Sequence, residues 1–95
     1  MRRAARRDEN HAEIVAGLRK SGCDVVDLGA VGNGCPDLLV RRCGRLILIE
    51  VKDGAKPPSE RRLTPDQVKF HALWGDSVVV VTSLTEALSA IGAVS

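Results

Sequence analysis

Two carboxylates and one ammonium group interrupt an otherwise apolar part of the chain, Gly34–Gly54. Asp37 precedes one apolar run, and Glu50 and Lys52 follow the next. Two carboxylates that face each other in a sheet repel and destabilise it. A divalent cation between them reverses that effect, since Mg²⁺ and Mn²⁺ prefer oxygen ligands. These residue types at this spacing therefore indicate a metal site with an ammonium group beside it.

A hairpin must bring these side chains together. If Cys43 and Gly44 form a two-residue turn, continuing the register outward places Asp37 directly opposite Glu50, with Cβ atoms ~4.5–5.5 Å apart. Side chains alternate along a strand, so Glu50 and Lys52 share one face. A turn longer by one residue would move Asp37 off that face. The alternative is that all three are ordinary polar residues at strand ends.

The order of elements predicts the fold class. Hydrophobic spacing, turn residues and a Thr64-Pro65 helix start predict a helix, three strands, a helix, a strand and a helix. Their expected bounds are about Asn10–Ser21, Cys23–Leu28, Asp37–Arg42, Arg45–Asp53, Pro65–Trp74, Ser77–Ser83 and Leu84–Ile91. This order predicts an α/β fold with a mixed four-stranded sheet and helices on both faces. We expect the last strand to be covered on both faces, and Phe70 and Trp74 to lie in the core.

Size and composition indicate a small globular protein. The chain has 95 residues, of which 44% are apolar and 27% charged, which predicts one domain over residues 9–95 after a basic arm at 1–8. No apolar run approaches the ~18 residues of a membrane span, and the N-terminus does not resemble a secretory signal. Three cysteines without zinc-site spacing predict reduced thiols. We therefore expect a cytoplasmic protein.

The basic residues form three clusters although the net charge is only +2. An ordinary solvated surface would explain any one of them, whereas three together favour contacts with phosphate groups. The two aromatic residues, Phe70 and Trp74, are too few for recognition by base stacking. The clusters consist of Arg2, Arg3, Arg6 and Arg7; of Arg41, Arg42 and Arg45; and of Lys56, Arg61 and Arg62.

The charged hairpin resembles a known nuclease motif. Pro36-Asp37, followed after a hairpin by Glu50-Val51-Lys52, looks like PD-(D/E)XK. The stretches GNGCPDLLV, LILIEVKDGAKPPSERRLTPDQVKFH and VVVVTSLTEAL resemble the VRR-NUC (virus-type replication-repair nuclease) branch, including its small stand-alone phage members. The similarity extends over about residues 9–92. It implies a restriction-endonuclease-like core.

The resemblance also implies a role for each site residue. Asp37 and Glu50 would bind Mg²⁺ or Mn²⁺ together with the backbone carbonyl of Val51. Lys52 would position or help to deprotonate the attacking water and stabilise developing charge. Gln67 would contact the water, Lys52 or the phosphate, or would be an ordinary polar residue in the first turn of its helix.

The first helix departs from the family pattern. Related nucleases usually carry a glutamate there as a further metal ligand, whereas aligning the apolar stripe of the helix places His11 in that position. Histidine can bind Mn²⁺ but is a poorer ligand for Mg²⁺. We expect His11 to line the site, with Glu13 and then Glu9 as less favoured candidates.

These observations lead to two hypotheses of function. The first is a metal-dependent deoxyribonuclease, selective for forked, flapped or four-way junction DNA and acting as a homodimer. The second is a DNA-binding or scaffold protein that kept the fold but lost catalysis. Only the histidine at position 11 supports the second, and the intact Asp37, Glu50 and Lys52 oppose it.

Overall fold

The computed structural model describes residues 9–93, which form three α-helices and a four-stranded sheet. The element order is the one that the sequence predicts, so the α/β class with a mixed sheet is confirmed. Short 3₁₀ turns occupy Pro58–Glu60 and Gly75–Ser77. In chain order, the elements are α1 (His11–Lys20), β1 (Asp24–Asp27), β2 (Leu38–Arg42), β3 (Arg45–Val51), α2 (Pro65–Trp74), β4 (Val78–Val81) and α3 (Leu84–Ile91).

The strands lie in the order β1-β2-β3-β4. Successive pairs are antiparallel from β1 to β3, whereas β4 runs parallel to β3. A parallel pair requires a crossover connection, and the segment that contains α2 supplies it. This connection starts at the C-terminal end of β3, which is the end of the strand that carries the charged residues.

The β2–β3 hairpin has the predicted two-residue turn. Cys43 and Gly44 both have positive φ, at 49° and 81°, as a type I′ turn requires. Arg42 therefore pairs with Arg45, and the ladder continues to Leu38 opposite Ile49. The next position along this register places Asp37 opposite Glu50, as predicted.

The main core lies on one face of the sheet, beneath α1 and α3. Alternation along β2 and β3 directs every second side chain to this face. Two helices close it because their apolar stripes follow the helical period. The buried cluster comprises Ile14, Leu18, Cys23, Leu38, Val40, Ile47, Ile49, Val51, Val81, Ala87 and Ile91.

The opposite face is covered only in part, and two expectations fail there. Val26, Leu39, Leu48 and Val78 form an apolar row in which each is paired with the next across the four strands. The helix above this row, α2, has no buried residue. The prediction that Phe70 and Trp74 lie in the core is wrong.

The two aromatic rings instead stack on each other, with centroids 5.1 Å apart and planes 2° from parallel. Trp74 is 52% exposed. The rings line a cleft of about 380 Å³ between α2 and the sheet. The prediction that β4 is covered on both faces is also wrong, because β4 is an edge strand and Val80 remains 43% exposed.

Cys23, Cys35 and Cys43 are free thiols. None of the helices within residues 9–93 is long and apolar enough to cross a membrane. The predicted basic arm, with Arg2, Arg3, Arg6 and Arg7, lies outside the described residues.

Candidate active site

Asp37 lies at the end of the hairpin away from the turn. Its Oδ2 accepts a hydrogen bond from the backbone N–H of Val51 at 2.8 Å. Its carbonyl oxygen accepts one from the N–H of Leu28, also at 2.8 Å. The first bond continues the β2–β3 ladder through a side chain after the backbone pairing has ended. It holds the Asp37 carboxylate beside the last residues of β3.

Glu50 is almost fully enclosed, with 3% of its surface exposed. Its Oε2 accepts a hydrogen bond from Gln67 Nε2 at 3.1 Å and lies 3.6 Å from Lys52 Nζ. Its Oε1 is buried and receives no hydrogen bond from any residue that the structure describes. When Glu50 is ionised, a buried acceptor without a donor is costly, so either a proton or a cation at this carboxyl group would be stabilising.

Burial is the main cause that raises the pKa of Glu50, to about 8. The negative charge of Asp37 and a side-chain hydrogen bond with Asp37 raise it further. The positive charge of Lys52 acts in the opposite direction and does not cancel these effects. Without a cation, Glu50 therefore holds a proton near neutral pH.

Lys52 projects into the same enclosed region, with 13% of its side chain exposed. Its Nζ donates to Gln67 Oε1 at 3.2 Å as well as lying near Glu50. Its backbone N–H donates to Val81 O at 2.9 Å, which extends the β3–β4 pairing by one residue. Lys52 is therefore fixed both at its backbone and at its ammonium group.

Gln67 connects these groups to the start of α2. The residue forms a capping box with Thr64, in which each side chain bonds the backbone of the other. Gln67 Oε1 accepts from the Thr64 N–H at 2.9 Å and from Lys52, while its Nε2 donates to Glu50. Of the contacts expected for Gln67, the structure has the one with Lys52.

Asn10 is a site neighbour whose role its sequence position did not indicate. Its Nδ2 donates to the carbonyl oxygens of Lys52 at 3.2 Å and Thr82 at 2.9 Å. Asparagine before a helix usually caps that helix, but here the side chain makes no such bond. The Asn10 side chain joins α1 to the ends of β3 and β4 instead. Its position before α1 indicated a capping role, which it does not have.

His11 is buried in the first turn of α1. It lines a cleft of about 330 Å³ together with Arg19 and Asp27. Glu13 and Glu9 are exposed. Within residues 9–93, no three histidine, cysteine, aspartate or glutamate side chains come close enough together to hold a metal ion. That any of these residues of the first helix completes the site stays a prediction.

Two other residues lie near the charged cluster. His71 follows Gln67 by one turn of α2 and its Nε2 is buried, with no hydrogen-bond partner among the described residues. Burial lowers the pKa of His71, and the charge of Lys52 lowers it further. Burial is also the main cause of the shift at Cys35, where it raises the pKa, and the charges of Glu50 and Asp37 raise it by smaller amounts. This shift opposes thiolate formation, so Cys35 is not an activated nucleophile.

The two basic clusters within the described residues flank β3 along the chain. Lys56, Arg61 and Arg62 belong to the segment that connects the end of β3, after Lys52, to α2. Arg41, Arg42 and Arg45 flank the hairpin turn. The six residues from Arg45 to Glu50 span roughly 17 Å of strand.

The arginines beside the turn also have partners within the fold. Arg41 forms an ion pair with Asp24 at 3.0 Å. Arg42 and Arg45 donate to the carbonyl oxygens of Gly92 and Ala90, at 3.2 and 3.4 Å. These carbonyls lie at the C-terminal end of α3, where a cation is favoured. Arg42 and Arg45 thus have a structural role that their sequence positions did not indicate.

Comparison with protein-family models, with curated proteins and with solved structures gives no match to this chain.

The geometry of the site suits a divalent cation. Asp37 and Glu50 supply carboxylate oxygens at one point, and the orphaned Oε1 of Glu50 provides an acceptor that a cation would satisfy. Lys52 supplies a positive charge next to that point. The donor set is the oxygen-rich type that suits Mg²⁺ or Mn²⁺.

Proposed function

We propose that this protein is a divalent-metal-dependent deoxyribonuclease that hydrolyses phosphodiester bonds. The observation that carries the proposal is the pair of carboxyl groups, half-buried Asp37 and buried Glu50, with one Glu50 oxygen that receives no hydrogen bond from the described residues and with Lys52 alongside. Two ionised carboxylates repel each other here, and a cation between them reverses that effect. The resemblance to PD-(D/E)XK nucleases, and to their VRR-NUC branch, gives the same assignment for the same three residues.

Asp37, Glu50 and the backbone carbonyl of Val51 are the groups that would hold Mg²⁺ or Mn²⁺. Such an ion, when bound, lowers the pKa of a coordinated water and neutralises charge on phosphoryl oxygens. The protein must first release the proton from Glu50, whose pKa is about 8. Cation binding is therefore coupled to deprotonation of this residue.

Lys52 would supply positive charge where negative charge develops on the phosphate, an effect that is strong in an enclosed site. Its low exposure and its bond to Gln67 restrict where the ammonium group can lie. Gln67 also fixes one oxygen of Glu50 through its amide group. The two residues therefore keep the charged groups in one geometry before the substrate arrives, which reduces reorganisation during the reaction.

The proposed substrate is branched or duplex DNA. Lys56, Arg61 and Arg62 lie in the connection between Lys52 and α2, where they can contact phosphates next to the cut. A second arm of DNA that reached Arg41, Arg42 and Arg45 would have to follow the sheet for roughly 17 Å. Forks, flaps and four-way junctions are the proposed substrates because their two arms can occupy both basic clusters.

A homodimer is part of the proposal. Several large apolar residues are exposed on α2, β3 and β4, and a dimer interface would bury some of them. They are Leu46, Val68, Leu73, Trp74 and Val80. Sedimentation of the purified protein should give the mass of a dimer, and Leu73→Glu should shift it toward the monomer. Val31→Glu, at an exposed valine in a loop, is the matched control.

Cleavage assays test the proposed activity. Purified protein is incubated with supercoiled plasmid and with labelled fork and junction DNA, in Mg²⁺, Mn²⁺ or EDTA. We expect cuts only with a metal ion, and loss of cutting by at least about 10²-fold in Asp37→Ala and Lys52→Ala, as for removal of one charge-stabilising group. Asp76→Ala and Lys20→Ala, at exposed positions outside the site, should cut like the unmodified protein.

The same assays separate the second candidate, a DNA-binding or scaffold protein without catalysis. Its support is the histidine in the first helix and the absence of a third histidine, cysteine or acidic ligand at the carboxylate pair within residues 9–93. Binding to DNA in EDTA, with no cutting under any metal condition, would establish this alternative and refute the nuclease.

A further inference from the structure

Gly34 lies against the first turn of α2, three residues before Asp37. A Cβ atom at this position would collide with the backbone carbonyl of Asp66 and lie 2.9 Å from the Gln67 nitrogen. Real side chains essentially never approach backbone atoms that closely. The start of α2 therefore rests directly on the Gly34 backbone. Its φ of 81° is a second reason for glycine at this position.

This contact matters because few other contacts within residues 9–93 hold α2 in place. The helix has no buried residue, and its aromatic rings stack on each other above an open cleft. Its firm attachments are at its first turn, where Gln67 bonds Glu50 and Lys52. A helix attached in this way can shift as a unit when its first turn is displaced, and its own hydrogen bonds would remain intact.

We infer that Gly34 is a positioning residue: its bare backbone seats the start of α2 at the distance from which Gln67 reaches both Glu50 and Lys52. The loop that leads to Asp37 thus also sets the position of the amide that holds the other two charged residues. The loop that contains Gly34 then aligns Asp37 with the group formed by Gln67, Glu50 and Lys52. The inference deepens the proposed nuclease function and rests on it only for its effect on catalysis.

Gly32 is a matched control in the same loop. It has nearly the same backbone conformation, with φ of 78°, but a Cβ there would meet nothing within 4 Å. Gly34→Ala and Gly32→Ala therefore share the cost of a side chain at positive φ. Only the first adds a collision with α2. The difference between the two variants isolates the seating contact.

The first readout is NMR spectroscopy of the metal-free protein. In Gly34→Ala, the backbone amide and side-chain NH₂ signals of Gln67 should shift, together with those of Lys52 and Glu50. In Gly32→Ala, these signals should stay in place. Equal shifts in both variants, or none in either, would overturn the inference.

The second readout is cleavage kinetics. In Gly34→Ala, kcat should fall by about tenfold or more with KM for DNA nearly unchanged, since misplacement by about 1 Å can cost up to about 10²-fold. Gly32→Ala should retain kcat. If the unmodified protein does not cut DNA, the proposed function fails, and the NMR comparison still decides the positioning role.

Asparagine variants cover the case in which the alanine variants do not fold. Asparagine adopts positive φ more readily than alanine, and Asn33, between the two glycines, does so with φ of 58°. Gly34→Asn still adds the colliding Cβ, whereas Gly32→Asn does not. The same contrast in the Gln67 signals is expected between them, and its absence would refute the inference.

Discussion

The carboxylate of Asp37 accepts the backbone N–H of Val51 at 2.8 Å, directly beside Glu50. One oxygen of Asp37 thereby completes the end of the hairpin, and the group as a whole adds negative charge next to a buried glutamic acid. The same residue supports the fold and raises the pKa of its neighbour. The effect of Asp37 on the fold and its effect on the pKa of Glu50 can both be measured.

Replacing Asp37 by asparagine should lower the pKa of Glu50. The charge of Asp37 is the second cause of the upward shift, after burial. The pKa should therefore fall from about 8 but stay above its ordinary value of 4.5, because burial remains. An NMR titration of the Glu50 carboxyl carbon measures this. Asp24→Asn, at an exposed aspartate near the hairpin turn, should leave the value unchanged.

The metal-free protein should lose stability as pH rises, through Glu50. The folded state holds this proton up to a pKa of about 8, whereas an unfolded chain releases it near the ordinary value of 4.5. The contribution is therefore complete below pH 4.5 and is lost as pH rises through 8. At about 1.4 kcal/mol per pKa unit, the loss is on the order of a few kcal/mol.

Glu50→Gln isolates this contribution, since it keeps the shape and removes the titrating group. Urea unfolding in EDTA should give similar stabilities for both proteins at pH 5, and a more stable variant at pH 9. If the difference in free energy of unfolding between the two proteins did not change over this range, the raised pKa would be contradicted.

Divalent metal should restore the stability that the protein loses at high pH. Because the cation competes with the proton on Glu50, Mn²⁺ should raise the unfolding temperature more at pH 8.5 than at pH 6.5. Calorimetry in buffers of different ionisation enthalpy should detect release of up to about one proton per ion at the lower pH. Asp37→Ala should abolish this stabilisation, while Asp24→Ala should keep it. Equal stabilisation at both pH values would argue against Glu50 as a ligand.

The two basic clusters should differ in their effects. Alanine at Lys56, Arg61 or Arg62 should weaken DNA binding and reduce the salt slope of the binding constant by about one per lost phosphate contact. Alanine at Arg42 or Arg45 should mainly reduce stability, by about 0.5–1.5 kcal/mol, because each loses a bond to the end of α3. Fluorescence anisotropy across salt concentrations and thermal unfolding measure the two effects. The reverse pattern would contradict the assignment.

Local features of the sequence predicted the backbone geometry around the candidate site better than they predicted which residues are buried. Cys43-Gly44 fixes the turn, the turn fixes the register, and the register brings Asp37 to Glu50. Thr64 and Gln67 likewise indicate the start of α2 through short-range chemistry. Each of these depends on residues that are neighbours in the chain or directly paired.

The errors arose where tertiary contacts decide. Phe70 and Trp74 are apolar at helical spacing, but none of the described residues covers α2 fully, so they line an open cleft. Val80 belongs to a β-branched run, and only the strand order makes it part of an edge strand. Asn10 occupies a capping position, yet its amide reaches β3 and β4. Spacing along the chain contains no information about these neighbours.

The most direct test of the account is the position of a bound metal ion. Crystals soaked in Mn²⁺ at pH 8.5 should give an anomalous peak within about 2–2.3 Å of one oxygen of Asp37 and one of Glu50. The peak should vanish in crystals of Asp37→Ala. A peak at His11 without contact to either carboxylate, or no peak at saturating Mn²⁺, would contradict the claim that this pair is a metal site.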